Sequence, residues 1–324
     1  MGRIVGAHSL IADTQDEAAT AAALKGRYFD VVINFIAFSG EDIARDLRLF
    51  QGNCGQYIFI SSASAYQKPL EHSLISESTP LENPFWEYSR QKNEAEVSCM
   101  DAYAKHRFPV TIVRPSLTYN TVIPLIGCWN DFTVIDRMRT GRPVLVHGDG
   151  NSLWTITHAE DFAVGLVGLF GHERAIGEAF HITSDEVLTW NQIYDRVGLA
   201  AGVEHVKKVH VPSDFIVKMV PALTGSLLED KAISAVFDNS KIKQFVPEFD
   251  ANVSFKDGIQ RTVQWFEADP ALLLCIVEVR GSDCGCLLCL IQLPCRCLVV
   301  CSAKRAMRGV VGMFERCQID YFQW

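Results

Sequence analysis

Three apolar runs organise the first part of the chain: FDVVINFIAF at 29–38, QYIFI at 56–60 and FPVTIVRP at 108–115. Each run is continuous rather than alternating, the pattern of a strand covered on both faces in a parallel sheet. Segments of helical composition separate them. Residues 18–27 (AATAAALKGR) are strong helix formers closed by Gly26, a second helix is predicted from about 40 to 50, and a third over 86–106. Strands alternating with helices imply parallel βαβ units and an α/β fold class.

Beyond Pro115 the pattern loosens into shorter elements. A helix is predicted near 132–140, and GRPVLVHGDGNSLWTITH has hairpin character around 148–151. The amphipathic AEDFAVGLVGLFGH follows, then the strand GEAFHITS. A further helix has Thr189 as N-cap and Gly202 at its C-terminal end. No internal repeat and no Pro, Gly or Ser-rich linker interrupts this order. The expected organisation is a core over 1–120, a smaller α+β lobe over 121–270 interleaved with the last core segments, and an extension over 271–324.

Composition separates the extension from the body. At 48% hydrophobic and 21% charged residues the chain is of globular type, which excludes collagen-like, coiled-coil and disordered classes. Of 11 cysteines only Cys54, Cys99 and Cys128 precede residue 270; the others crowd 275–317. Residues 1–270 carry 24 Lys/Arg against 34 Asp/Glu, net −10, so wide contact with a nucleic-acid backbone is not expected. The start MGRIVGAHSLIAD lacks the features of a secretory signal, and MGRIVG lacks the hydroxyl residue of a myristoylation motif. These features predict a cytoplasmic chain with no membrane association and with reduced thiols in the body.

The strongest chemical constellation is Tyr88-Ser-Arg-Gln-Lys92 on the third predicted helix, with Ser61 and Ser62 where the strand QYIFI ends. Positions i and i+4 share a helix face, so Lys92 can stand beside the Tyr88 phenol, and a neighbouring ammonium favours the phenolate. A serine at the C-terminal end of a parallel strand lies where open α/β sheets bind ligands. A Tyr-x-x-x-Lys spacing is also common by chance in helices. Its weight comes from context.

That context is a series of motifs in order: ADTQDEAA before FDVVINFIAF, then FISSASAY, PFWEYSRQK, TIVRPSLTYN and WTITHAEDFA. With them the chain, from about 10 to 269, resembles the extended short-chain dehydrogenase/reductases of the NAD-dependent epimerase/dehydratase group. The resemblance implies a Rossmann-type parallel sheet with a smaller substrate lobe, NAD or NADP as cofactor, and a small-molecule substrate, nucleotide-sugar-like, with a hydroxyl or carbonyl at the reacting carbon. It implies Ser62, Tyr88 and Lys92 as the catalytic set: Tyr88 as acid/base, Ser62 as its hydrogen-bonding helper, Lys92 on the nicotinamide ribose. Ser62 is preferred over Ser61 and Ser64 because it stands four residues before Tyr66. Asp13 and Thr14 match the position that contacts adenine, although Asp13 equally fits a helix N-cap. Ala37 matches the turn against ribose and diphosphate; Ser61, Pro115, Ser116 and Tyr119 match the surroundings of the nicotinamide, although Arg114-Pro115 also reads as a plain strand end. Trp154, His158 and Asp161 match the segment closing the substrate lobe, with Asp161 structural and His158 packed. A homodimer through the helix carrying Tyr88 is expected. An alternative with a comparable C-terminal order is a non-catalytic binding protein similar to chloroplast stem-loop RNA-binding proteins.

Two departures stand out. The glycine-rich pyrophosphate turn that follows the first strand in this family has no counterpart, because no helix follows Gly6 in MGRIVGA. The expectation is an N-terminally incomplete core with impaired cofactor binding. In the extension, Cys284, Cys286, Cys289, Cys295, Cys297 and Cys301 contain one C-x-x-C pair where a structural zinc site wants two, so no metal is expected. Arg296 and Pro294 weaken a membrane span over 285–303.

Overall fold

The computed structural model describes residues 10, 12–126, 129–269 and 272–273. MGRIVGA, Cys128 and the cysteine-rich extension lie outside the described residues. The first helix, α1 (Glu17–Leu24), is capped by the Asp16 side chain on Ala19 N, so the N-cap is Asp16 rather than Asp13. Asp13 sits in the turn before it, its carboxylate taking the Gln15 amide.

Strands β1 (Phe29–Asn34), β2 (Cys54–Ile60) and β3 (Val110–Pro115) pair in parallel, and β7 (Ala179–Ile182) adds beyond β3. The crossovers are α2 (Gly40–Phe50) and α3 (Glu87–His106). The continuous apolar runs are explained by double coverage. In β2, Tyr57 and Phe59 pack with Ile43, Ala95 and Cys99 on one face, while Ile58 and Ile60 pack with Phe162, Leu166, Ile242 and Phe249 on the other. Each such side chain contributes roughly 1.5–3 kcal/mol of burial. The second face is covered by α5 (Ala159–Gly168), which approaches closely through its glycines: a Cβ on Gly168 would meet Val246 at 2.2 Å and one on Gly165 would meet Ile182 at 2.7 Å. The body cysteines Cys54 and Cys99 are buried free thiols.

The smaller lobe holds the sheet β4 (Leu117–Tyr119), β6 (Leu153–His158) and β8 (Val187–Thr189), together with the parallel pair β5 (Val144–His147) and β9 (Lys208–Val211). The expected hairpin around 148–151 does not form. Gly148 and Gly150 both take positive φ, and the turn sends β5 to β9 while β6 pairs with β4 and β8. Helices α4 (Thr133–Arg139) and α6 (Trp190–Ala200) pack on this lobe, α6 beginning in a Thr189–Gln192 capping box. Its core gathers Ile135, Trp154, Trp190, Ile193, Phe255 and Phe266.

Arg114 does more than end a strand. Its guanidinium pairs with Glu96 of α3 through Nε and Nη2, the latter at 2.6 Å, and both side chains are almost fully buried. Glu96 Oε1 also accepts the Ser61 hydroxyl at 2.5 Å. Arg114 Nη1 donates to Tyr66 Oη, which meets His181 Nδ1, and His181 Nε2 meets the Asp238 carbonyl at 2.7 Å. The network ties α3, β2, β3 and β7 together. Replacing Glu96 by Ala leaves an uncompensated buried guanidinium, so an unfolding free energy about 3–5 kcal/mol lower is expected in urea titrations. A loss below about 1 kcal/mol, the range of an exposed pair, would contradict this role.

Candidate active site

Helix α3 begins at Glu87 behind Trp86, whose extended backbone ends the preceding loop. Tyr88, Lys92 and Glu96 follow at i, i+4 and i+8, and so share the face turned to the C-terminal ends of β1, β2 and β3. Lys92 is 2% exposed. Its ammonium donates to the carbonyls of Ala37 at 2.8 Å and Ile60 at 2.9 Å, and lies over the rings of Phe38 and Tyr88, 4.4 and 5.8 Å from their centroids. Two of its three N–H donors are thus committed to carbonyls. Burial lowers its pKa to about 8, against the opposing pull of Glu96 and Asp42.

The three candidate serines separate by partner. Ser61 turns to Glu96. Ser62 caps the single turn Ala63–Ala65 and faces the Tyr88 phenol, while its Oγ also lies 2.9 Å from that of Ser64. Ser64 accepts the Ser89 hydroxyl at 3.0 Å, and Asn83 donates to the Ser64 carbonyl at 2.9 Å. A short hydroxyl chain therefore holds Ser62 in place. Tyr88 departs from expectation: burial pushes its pKa up to about 12, opposed by the hydrogen bond with Ser62. Burial outweighs the predicted depression by Lys92, whose ammonium donates to the Ala37 and Ile60 carbonyls. Tyr88 is a protonated phenol at neutral pH.

The turn after β1 has its own buried support. Asn34 Oδ1 accepts the amides of Ile36 and Ala37, while its Nδ2 donates to Asp46. Asp46 is buried and also receives Tyr57 Oη at 2.5 Å and the Arg45 guanidinium. This fixes the Ala37 carbonyl that Lys92 needs. None of Asn34, Asp46 or Tyr57 has a sequence signal beyond its place in a strand or helix.

An open cleft is lined by Ser61, Ser62, Tyr88, Pro115 and Ser116, with Lys92 behind the Tyr88 ring. Ser116 Oγ lies 3.2 Å from Thr157 Oγ1. Asp13 and Thr14 are not among the lining residues; they precede α1, which is tied to α2 by Glu17 and Arg48. Of the lobe-closing residues, Trp154 lines the cleft and Asp161 takes the Val253 amide. His158 caps α5, with burial lowering its pKa, and packs edge-on to Tyr119.

Beside Ser64, the cleft also contains residues that local pattern did not reveal: Lys68, Trp86, Asp230, Lys231 and Phe237. Asp230 and Lys231 end a π-helical turn, Leu227–Lys231, whose last carbonyl accepts from His147 Nε2, Ser152 Oγ and Trp190 Nε1. Tertiary anchoring alone delivers them. Among the described residues no group of three His, Cys, Asp or Glu side chains could hold a metal, and no helix is long and apolar enough to cross a membrane.

Comparison with known proteins places this geometry. Residues 42–183 match the NAD dependent epimerase/dehydratase family. The chain is 26% identical to a 2'-dehydrokanamycin reductase of Streptomyces kanamyceticus over 226 residues, which are 68% of this chain and 61% of the relative, so it spans under two thirds of that protein's length. It is 25% identical to the chloroplast stem-loop binding protein of 41 kDa b of Arabidopsis thaliana over 277 residues, 81% of this chain and 68% of the relative. Among solved structures, UDP-glucuronic acid 4-epimerase of Bacillus cereus, in complex with NAD, superposes with a TM-score of 0.62 at 18% identity, covering 81% of this chain and 80% of that one. Strands β2, β3 and β7 and the helix carrying Tyr88 and Lys92 lie inside the segment that matches the NAD dependent epimerase/dehydratase family.

Proposed function

We propose that this chain is an NAD(P)-dependent enzyme of the epimerase, dehydratase or reductase type, acting on a hydroxyl or carbonyl carbon of a sugar-like small molecule, nucleotide-linked in the first instance. The observation that carries the reading is the protonated Tyr88 phenol on the cleft wall, between the Ser62 hydroxyl and the buried Lys92 ammonium. A phenol that keeps its proton at neutral pH enters as an acid: it donates to a carbonyl oxygen as charge develops there, and takes the proton back in the reverse direction. Ser62 hydrogen-bonds the same oxygen and steadies that charge.

The residues present fit the nicotinamide half of a dinucleotide. Lys92 keeps one N–H beyond its two carbonyls for a ribose hydroxyl, and Ala37, Ser61, Pro115 and Ser116 surround the strand ends where open sheets bind such ligands. The bound nicotinamide supplies or accepts the hydride. Asp13 and Thr14 are assigned to the adenine end through the family resemblance. A finer inference is weak cofactor affinity, because the 324 residues contain no G-x-G-x-x-G turn to hold a pyrophosphate. The exposed Val97 and Met100 of α3 support a homodimer through that helix.

A non-catalytic RNA-binding protein is the second reading, favoured by the likeness to the chloroplast protein. The net charge of −10 over residues 1–270 weighs against it. Salt-dependent retention on RNA, with no turnover on any sugar, would reverse the order.

Replacing Tyr88 by Phe is expected to lower NADH-dependent reduction of keto-sugars by about 10²–10⁴-fold with KM nearly unchanged, the range of a lost general acid. Wild-type turnover in that variant would refute the assignment. Calorimetric titration of the full chain with NADH is expected to give affinity weaker than micromolar; micromolar binding would remove the impairment and leave the enzyme reading intact. Lys92 generates a pH prediction. Its folded pKa lies below the ordinary lysine value of the unfolded chain, so between about 8 and 10.5 the unfolded state binds more protons. Wild-type stability therefore rises through that window relative to Lys92→Met, by on the order of 3 kcal/mol at its upper end. Parallel stability profiles in urea titrations would contradict the buried ammonium.

A further inference from the structure

Lys68 is a buried cation that the chemistry described above does not use. It is 4% exposed, yet it lines the cleft together with Ser62, Ser64 and Tyr88. Its backbone is pinned, because the Lys68 amide donates to the Glu82 carbonyl at 3.0 Å and the Gln67 amide to the Pro80 carbonyl at 2.8 Å. Its ammonium, by contrast, has no hydrogen bond and no ion pair among the described residues; Asp230 attracts it only through space. The ammonium of this buried side chain meets the open cleft with no acceptor among the described residues, and buried charges ordinarily have a partner. Two more donors line the same cleft. Lys231 makes a single long contact, 3.5 Å to the Ser226 carbonyl, and the buried Trp154 indole N–H has no acceptor. Against these donors stands one carboxylate, Asp230, whose pKa burial raises.

We propose that Lys68, seconded by Lys231, is the seat of an anionic substituent of the substrate, a carboxylate or a phosphate, held beside the Tyr88 and Ser62 hydroxyls. The proposal deepens the enzyme reading by naming the substrate class, sugar acids or sugar phosphates, and rests on that reading for the role of Tyr88. An acceptor with several lone pairs satisfies the ammonium, and an unhindered lysine accommodates either anion as a point charge. The competing reading is that Asp230 selects a cationic amino sugar and Lys68 merely balances it. The absence of ion-pair contact between the two disfavours this.

The test is binding to the full chain, read by the fluorescence of Trp86 and Trp154 in the cleft and by calorimetry, with glucose, glucuronate, glucose 6-phosphate and glucosamine as probes. Glucuronate or glucose 6-phosphate is expected to bind at least about tenfold more tightly than glucose, the size of one charge-assisted hydrogen bond, and the tighter of the two identifies the anion. Lys68→Met should abolish the preference while leaving glucose binding within about twofold; Lys68→Arg should retain most of it, and Lys231→Met should reduce it. Anions binding no more tightly than glucose, glucosamine binding most tightly, or a preference that survives in Lys68→Met would each overturn the proposal. The wild-type preference and the arginine variant keep it testable if the methionine variant folds poorly. Binding is read without turnover, so an anion preference in a chain inactive towards NADH would sink the enzyme reading alone.

Discussion

The carboxylate of Glu96 is the point on which the arrangement of the site depends. It stands one helical turn beyond Lys92 and two beyond Tyr88, and it is held by the Arg114 guanidinium at the end of β3 and the Ser61 hydroxyl at the end of β2. Such a pair withdraws two charges from water, a cost that its Coulomb attraction alone does not reliably offset. What it supplies is register. A helix held only by apolar contacts among Ala95, Cys99 and Ala102 has several nearly equivalent seats, whereas a two-nitrogen grip on one carboxylate has one. Because side chains four residues apart share a face, locking Glu96 locks the directions in which Lys92 and Tyr88 leave the helix.

Lys92 lives with the consequences of that placement. Desolvation disfavours its ammonium, and the nearby Glu96 and Asp42 carboxylates compensate only in part, so its pKa settles near 8. Its committed donors point at backbone rather than at the phenol, and desolvation dominates the Tyr88 hydroxyl. The pair thus divides its work: the lysine is an anchor for a ligand hydroxyl, and the tyrosine is an acid that keeps its proton until a substrate oxygen needs it. The Asp46 network extends the same logic, because Asn34 can orient the Ala37 carbonyl only while Asp46, Arg45 and Tyr57 keep its amide fixed.

What was legible in the sequence follows the range of the interactions. The parallel core was readable because double burial leaves continuous apolar runs, and the Tyr88 and Lys92 face because helical spacing is local. Arg114, read as a strand end, is a paired buried charge, and nothing in VTIVRP distinguishes the two. The turn at 148–151 has hairpin residues, but β5 pairs in parallel with β9, more than fifty residues on, while β6 pairs with β4 and β8. Asp16 rather than Asp13 caps α1, a shift of three residues between two equally suitable carboxylates. Lys68, Asp230 and Lys231 carry no local signature at all. They meet in the cleft because one lysine is pinned by a strand-like pairing to 80–82, while the other and its aspartate ride on a turn suspended from His147, Ser152 and Trp190.

This difference in range separates chemistry from selectivity. The proton-handling groups stand on one helix and one strand end, so their geometry is set by short-range rules and by the Glu96 anchor. The charged lining beside them is assembled from a loop after β2 and a π-helical turn far along the chain, both held by backbone carbonyls that accept side-chain or amide donors. Substitutions in that lining change which substituent is stabilised without touching the phenol or its helix. The lining also reaches the Tyr88 surroundings by contact, because Asn83 donates both to the Glu229 carbonyl of that turn and to the Ser64 carbonyl, while Asp230 bears on the phenol through its charge, raising its pKa further. An anion held at Lys68 adds a second negative charge near the same phenol. It strengthens the hold on the proton at rest, and makes its release depend on the charge that develops on the substrate oxygen.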